Sequence, residues 1–320
     1  MKVAVLLLAH KNKEQLERLV SKLQHKNIDI FIHLDSKADF EPSDINNADV
    51  IFTENRIDVG LFEFSMVKAQ FELINTAHQY GKYDYYILMS AQCYPIRGVD
   101  YIYNYLSDHY PESFIEIVAP KEDNYVKVNF EHIYILKRLK LKIYAFLKKH
   151  FSFKAYRILR YIPGGMIFLI SRAKELFVKS PKVNLQKMGF EMYCGSQWWI
   201  LPDAIIEKMI KSYENKAYCK IVSDTFSCDE TFFQTAIMSD SDISIMTPDD
   251  NGNIINRKWF YIFENGHPII LTKDHYDQII SSGMLFARKF DVTVDSEILN
   301  MLDETDILEN RLEKRFTNTN

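Results

Sequence analysis

The sequence predicts an α/β protein built on an open, mostly parallel sheet with helices on both faces. Three observations carry this. Val3–Ala9 is a continuous apolar run, as expected of a parallel strand buried on both sides. Short strand-like segments then alternate with segments of helical periodicity, in the order β-α-β-β-α-β-α-β up to Val118. Finally, 320 residues with 47% hydrophobic content can bury a core that needs neither a metal nor a disulfide to hold it.

After the first strand, Asn12 and Gln15 have the spacing of a capping box, and Leu16, Leu19, Val20 and Leu23 follow at helical intervals. Ile28–Leu34 alternates as a strand and Val50–Phe52 is a third, short one. Phe64–Tyr80 reads as a helix with Val67, Phe71 and Ile74 on one face, and Tyr85–Ser90 as the fourth strand. Tyr101–Leu106 begins another helix and Phe114–Val118 another strand. Residues 121–174 differ in composition, with 13 Lys+Arg against three Asp+Glu. Within them Phe130–His150 reads as a basic amphipathic helix: either a solvated face or a surface for an anionic leaflet. Beyond lie a strand at Met166–Ile170, a helix from Arg172, a strand around Trp198–Leu201 and helices over Asp203–Tyr213 and Asp229–Met238. Strands near Ile243–Met246 and Trp259–Phe263, and a helix from Asp295 to about Lys314, complete the chain.

Composition excludes several classes. A charge of −4 and 26% charged residues argue against general nucleic-acid binding and against disorder. Cys93, Cys194, Cys219 and Cys228 are too sparse for a disulfide scaffold and lack zinc spacing, so a reducing compartment is expected. The longest charge-free stretch, Tyr85–Ile96, is short of the ~20 apolar residues a spanning helix needs.

Ligands of such sheets bind beyond the carboxyl ends of the strands. Three segments leave such ends: Ala9–Asn12 with His10, His33–Lys37 with Asp35, and Ser90–Pro95. No GxGxxG or GxxxxGKS occurs. Asp35 suits a ribose hydroxyl or a base N–H, or simply caps a turn. The Ser90-Ala91-Gln92 segment carries no carboxylate for a metal, and the single Asp-x-Asp, Asp240–Asp242, precedes a strand. A bound diphosphate would then need protein cations. Glu230 sits three residues after Ser227, the spacing of a helix cap, and is equally a candidate base for a hydroxyl. Trp198 and Trp199 are adjacent in a strand, so they point to opposite faces and one can line a cleft or both can be core. Asn256–Lys258 and Phe286–Asp291 each set cations among apolar residues, as surface charge or as ligands.

Taken together, these segments resemble the core-2/I-branching enzymes, β-1,6-N-acetylglucosaminyltransferases that also include peptide O-xylosyltransferases. The resemblance runs in order through Leu8–Asn12, Ile32–Lys37, Phe64–Ala69, Tyr94–Ile96, Gly195–Trp199, Asp229–Gln234, Arg257 and Phe286–Asp291. It implies a GT-A-like fold in one domain over 1–320: a nucleotide-binding half (1–120), the basic helical segment (121–174) and an acceptor and catalytic half (175–320). It implies an inverting, metal-independent transfer, with no cofactor, from a UDP-sugar, UDP-GlcNAc or UDP-xylose, to a glycan or lipid-linked oligosaccharide. By the resemblance, Glu230 is the catalytic base and Arg257 and Lys289 hold the diphosphate. Asp35 contacts uracil, and His10 lies on the donor side. Glu116, Trp198 and Trp199 serve the acceptor. The chain starts at its first strand and has few cysteines, so a bacterial, cytoplasmic-side relative acting in cell-surface polysaccharide synthesis is expected, with the basic segment as a possible contact with anionic membrane.

Overall fold

The computed structural model describes residues 1–46, 49–60, 63–119, 181–225, 227–240, 248–264 and 267–305. The expected basic helix and the elements at 166–172 lie outside these residues, as do the expected strand at 243–246 and the end of the last helix.

The main sheet has five strands in the order β3-β2-β1-β4-β7. β1 (Val3–Ala9), β2 (Ile28–Leu34), β3 (Val50–Phe52) and β4 (Tyr85–Ser90) run parallel, with the bounds the periodicity predicts. β7 (Trp199–Pro202) pairs antiparallel with β4, Leu88 opposite Trp199. Every residue of β1 and β4 is buried, so both faces of the sheet centre are covered. The first crossover is α1 (Lys13–Lys22); the connection from β3 to β4 runs through α2 (Phe64–Tyr80), which packs on β1 and β2. The strand order reverses between β1 and β4, and a crevice opens beyond their carboxyl ends at such a switch point.

The capping box expected at the start of α1 does not form. Asn12 adopts a left-handed conformation (φ 58°) and makes no side-chain cap bond. Its amide donates instead to Asp291 Oδ1 at 2.8 Å. Gln15 is fully buried: its amide donates to the carbonyls of Ala91 and Phe290, and its oxygen accepts from the Val292 N–H. Both residues therefore join chain ends far apart in sequence rather than capping a helix.

A second, smaller sheet lies beyond β4. β5 (Cys93–Pro95), which periodicity does not reveal, pairs antiparallel with β12 (Phe286–Arg288), and β12 pairs parallel with β9 (Trp259–Phe260). A two-stranded pair, β6 (Glu116–Ile117) with β8 (Ile254–Ile255), and the hairpin β10 (Phe263–Glu264) with β11 (His267–Pro268) stand nearby. The predicted strand at Trp259–Phe263 is thus split between two sheets. α3 (Val99–Asp108), α4 (Pro181–Lys187), α5 (Asp203–Glu214), α6 (Lys216–Ser223), α7 (Phe232–Ser239), α8 (Tyr276–Ser281) and a helix at 297–305 complete the described elements. Asp303 on that last helix takes Arg18 Nη2 at 2.7 Å and the Tyr94 hydroxyl at 2.9 Å, tying it to α1 and β5. All four cysteines are buried free thiols. Among the described residues no helix is long and apolar enough to cross a membrane.

Candidate active site

The predicted site residues fall into two neighbouring groups. One is a cavity of about 510 Å³ lined by Glu116, Cys194–Trp198, Glu230, Arg257, Tyr261 and Arg288, with Phe263 and Pro268 among its lining residues. The other is the crevice at the heads of β1 and β2, with His10, Lys11, Asp35 and Lys289.

Glu230 ends a 3₁₀ turn, Cys228–Glu230, that leads into α7. The helix cap that its spacing allows is not made, since Ser227 forms no side-chain cap bond. The segment around the turn is tightly held. Thr231 Oγ1 donates to the Ser227 carbonyl, Gln234 Nε2 to the Ser196 carbonyl and Thr235 Oγ1 to the Tyr193 carbonyl. Phe232 and Phe233 pack on Phe71 of α2 with ring centroids 5.3 and 5.6 Å apart. Each residue of Asp229–Thr235 beyond the acidic pair therefore has a structural task that aims Glu230 at the cavity.

Burial pushes the Glu230 carboxyl up to about 8. The Asp229 charge acts in the same direction, Ser227 and the Arg288 guanidinium pull it back, and Glu116 raises it further. A carboxyl tuned near neutral pH suits proton transfer from a hydroxyl. Cys194 lies beside it. Burial, with the Glu230 and Glu116 charges, pushes its thiol up to about 12, so it stays protonated and inert.

Gly195 is the hinge between the two carboxylates. Its N–H donates to the Glu230 carbonyl at 3.0 Å, and the Glu116 carbonyl oxygen lies 1.9 Å from where a Cβ would stand. Only glycine lets the backbones carrying Glu116 and Glu230 approach this closely.

The structure separates the two tryptophans. Trp199 is fully buried in β7 against Phe233, 5.0 Å between centroids, and is a core residue; its expected acceptor role is not supported by its position. Trp198 lines the cavity, with the Arg288 guanidinium 4.6 Å from its ring centroid. Arg257 is placed with Glu116: Nη1 is hydrogen-bonded to Glu116 Oε2, which also accepts the Tyr261 hydroxyl at 3.0 Å, and the guanidinium lies 4.5 Å from the Tyr261 ring centroid. Its charge is therefore already met by a carboxylate, which weighs against its expected part in holding a diphosphate. The residue that sequence reasoning passed over is Arg288. It makes no ion pair among the described residues, and its Nε is buried without a partner. The signal available was an arginine closing an otherwise apolar strand, Phe286-Ala287-Arg288.

Lys289 follows at the switch point. The segment that carries it is stitched on both sides: the Leu271 N–H donates to the Lys289 carbonyl, and the Phe290 N–H to the Gln92 carbonyl. Asp291 then takes Lys11, Asn12 and Thr293. Burial, then Arg288 and Lys11, push the Lys289 ammonium down; Lys289 has no ion pair among the described residues. His10, at the head of β1, is solvent-accessible, yet desolvation by its surroundings and the Lys11 charge lower it, against the Asp35 carboxylate. Cations that depress one another in this way mark a region of positive potential that an anion would relieve. Asp35 is buried and accepts the Lys37 N–H at 2.8 Å, the Lys37 ammonium and the Val59 N–H at 3.3 Å. It therefore holds a turn, as one of its sequence readings allowed.

In the segment after β4, Ser90 Oγ accepts the Gln92 N–H and Ala91 offers its carbonyl to Gln15. Asp240 is ion-paired with Lys208, while Asp242 lies outside the described residues. A sequence model of the Core-2/I-Branching enzymes matches residues 3–267, five-sixths of the chain and all of the site except Pro268, β12 and Lys289. No curated protein matches the chain.

Proposed function

We propose, for a chain that belongs to the Core-2/I-branching enzyme family and is a glycosyltransferase, that it moves a sugar, N-acetylglucosamine in the first instance, from its UDP conjugate to a hydroxyl of a glycan, with inversion and without a metal. The observation that carries this reading is the conjunction of a half-buried carboxyl tuned to about 8 with the guanidinium of Arg288, which has no carboxylate partner among the described residues and is followed at once by Lys289. In this reading the acceptor enters the cavity beside Trp198 and the Glu116–Arg257–Tyr261 group. Glu230 takes the proton of the attacking hydroxyl as its oxygen bonds to the anomeric carbon. The bond from that carbon to the UDP oxygen breaks, and its electron pair leaves on the diphosphate. Arg288 and Lys289 meet that charge as it develops, the part a metal held by an Asp-x-Asp would otherwise take. His10 stands on the nucleoside side, and Asp35 holds the turn beside it. Support for independence from metal is chemical: the segment following β4 offers hydroxyl, amide and carbonyl groups rather than carboxylates, and the cations are supplied by the chain.

The test is transfer from UDP-GlcNAc to oligosaccharide acceptors, read as UDP release with and without acceptor. Glu230→Gln is expected to lower turnover by about 10²–10⁴ while donor affinity stays within a few fold. Near wild-type turnover in that variant sinks the mechanism. Activity is expected to survive EDTA; loss restored by manganese or magnesium removes the cation argument.

A further inference from the structure

Far from the cavity, two polar clefts of about 540 and 480 Å³ meet at the open edge of the main sheet and share Ile51 and Tyr80. The first lies at the amino end of β2 and β3, opposite the strand ends that carry His10 and Asp35. The second runs between β3 and α2. We propose that this joined groove binds an uncharged oligosaccharide, a stretch of the glycan that the enzyme elongates or branches, at a distance from the point of transfer. The inference rests on the glycosyltransferase reading above for the ligand's class, and on four local observations for the site.

Tyr80, the last residue of α2, is 61% exposed between the two clefts. It is not a loose surface ring: Phe31 holds it in an edge-to-face contact, centroids 5.6 Å apart at 79°. A fixed, exposed aromatic face beside polar walls is what the C–H face of a pyranose stacks on. Asn75 and Gln79, one helical turn apart on α2, are exposed in the second cleft and make no side-chain hydrogen bond among the described residues. Planar amides of this kind donate and accept toward neighbouring sugar hydroxyls. In the first cleft, Gln24 Nε2 is buried without a partner among the described residues, a donor that a ligand oxygen would satisfy. The charges decide the ligand's kind. Asp29, Asp49, Glu54 and Glu72 line the groove against Lys26 and His25, a balance that repels uronic acids and phosphate. An added peptide strand is the weaker occupant, because β3 offers only three residues of edge.

The experiment is saturation-transfer NMR with chitotetraose, cellotetraose and maltotetraose, and hyaluronan tetrasaccharide as the charged probe, all with UDP at saturation to occupy the donor site. At least one uncharged tetrasaccharide is expected to bind. Tyr80→Ala is expected to weaken that binding about tenfold, the worth of one stacked ring, while Tyr80→Phe retains it. The double variant Asn75→Ala/Gln79→Ala reports on the same groove if Tyr80→Ala does not fold. Hyaluronan is expected not to bind. Absence of binding by all three uncharged probes overturns the proposal. So does binding that neither the Tyr80 nor the amide substitutions change, and so does a preference for hyaluronan. Hydrolysis of UDP-sugars by the same protein preparations, assayed without added UDP, separates the two readings: hydrolysis with no Tyr80-dependent binding removes only the groove, and Tyr80-dependent binding with no action on any UDP-sugar removes only the proposed reaction.

Discussion

Glu230 is the residue on which chemistry and stability pull in opposite directions. Its carboxyl ordinarily titrates near 4.5 and in the fold near 8. Between these values the folded chain holds a proton that the unfolded chain has released, so the stability this group contributes falls as pH rises through that window. As the base of the proposed transfer, however, it works only when ionised. Turnover per encounter, kcat/KM, is expected to rise with pH and level off above about 8. Arg288→Ala, which removes the charge that pulls the carboxyl down, is expected to move that inflection upward and to weaken UDP-sugar binding. Thermal melts complete the picture: Glu230→Gln is expected to match wild type near pH 5 and to become progressively the more stable of the two toward pH 9. A constant difference across that range means the buried carboxyl is not the one titrating.

At the scale of elements, the approach of the β6 backbone to the turn carrying Glu230 passes through Gly195. A methyl group there meets the Glu116 carbonyl oxygen at 1.9 Å, so Gly195→Ala has to drive β6 away from the Cys194–Trp198 segment. The expected cost is about 1–3 kcal/mol of stability, read by denaturant melts. A large fall in kcat is expected to accompany it even where the protein remains folded, because Glu116 and Glu230 move apart. The same scale explains what the sequence reveals. β1, β2, β3, α2 and β4 are legible to the residue because each carries its own apolar run or periodicity between polar segments. β5 is not: three residues ending in Pro95 become a strand through pairing with Phe286–Arg288, nearly two hundred residues later, and leave no local pattern. Asn12 and Gln15 mislead for the same reason, since their partners at Ala91 and 290–292 are distant. Of the residues the sequence singles out, Glu116, Trp198, Glu230 and Arg257 line the cavity. Which cation is already paired is not legible, because the Arg257–Glu116 contact joins residues 141 positions apart.

On the scale of the whole molecule, the cavity draws its lining from five separated segments: Glu116–Val118, Cys194–Trp198, Glu230, Arg257–Pro268 and Arg288. The cavity and the crevice at the heads of β1 and β2 are therefore not two independent bodies that one could exchange between relatives. They share the 286–291 segment, which closes the second sheet with its first residues and reaches the heads of β1 and β4 with its last.

The family match stops at residue 267, and the architecture gives no licence to cut there. β12 is the middle strand of its sheet, so a fragment ending at 267 leaves β5 and β9 with two raw edges facing an empty slot, and it lacks both Arg288 and Lys289. Exposed strand edges seek other strands, so the fragment is expected to accumulate as aggregate. Supplying residues 268–320 as a separate chain offers it the missing strand. Split expression is thus expected to restore soluble protein and UDP-sugar binding together, a complementation that a self-sufficient domain ending at 267 would neither need nor show.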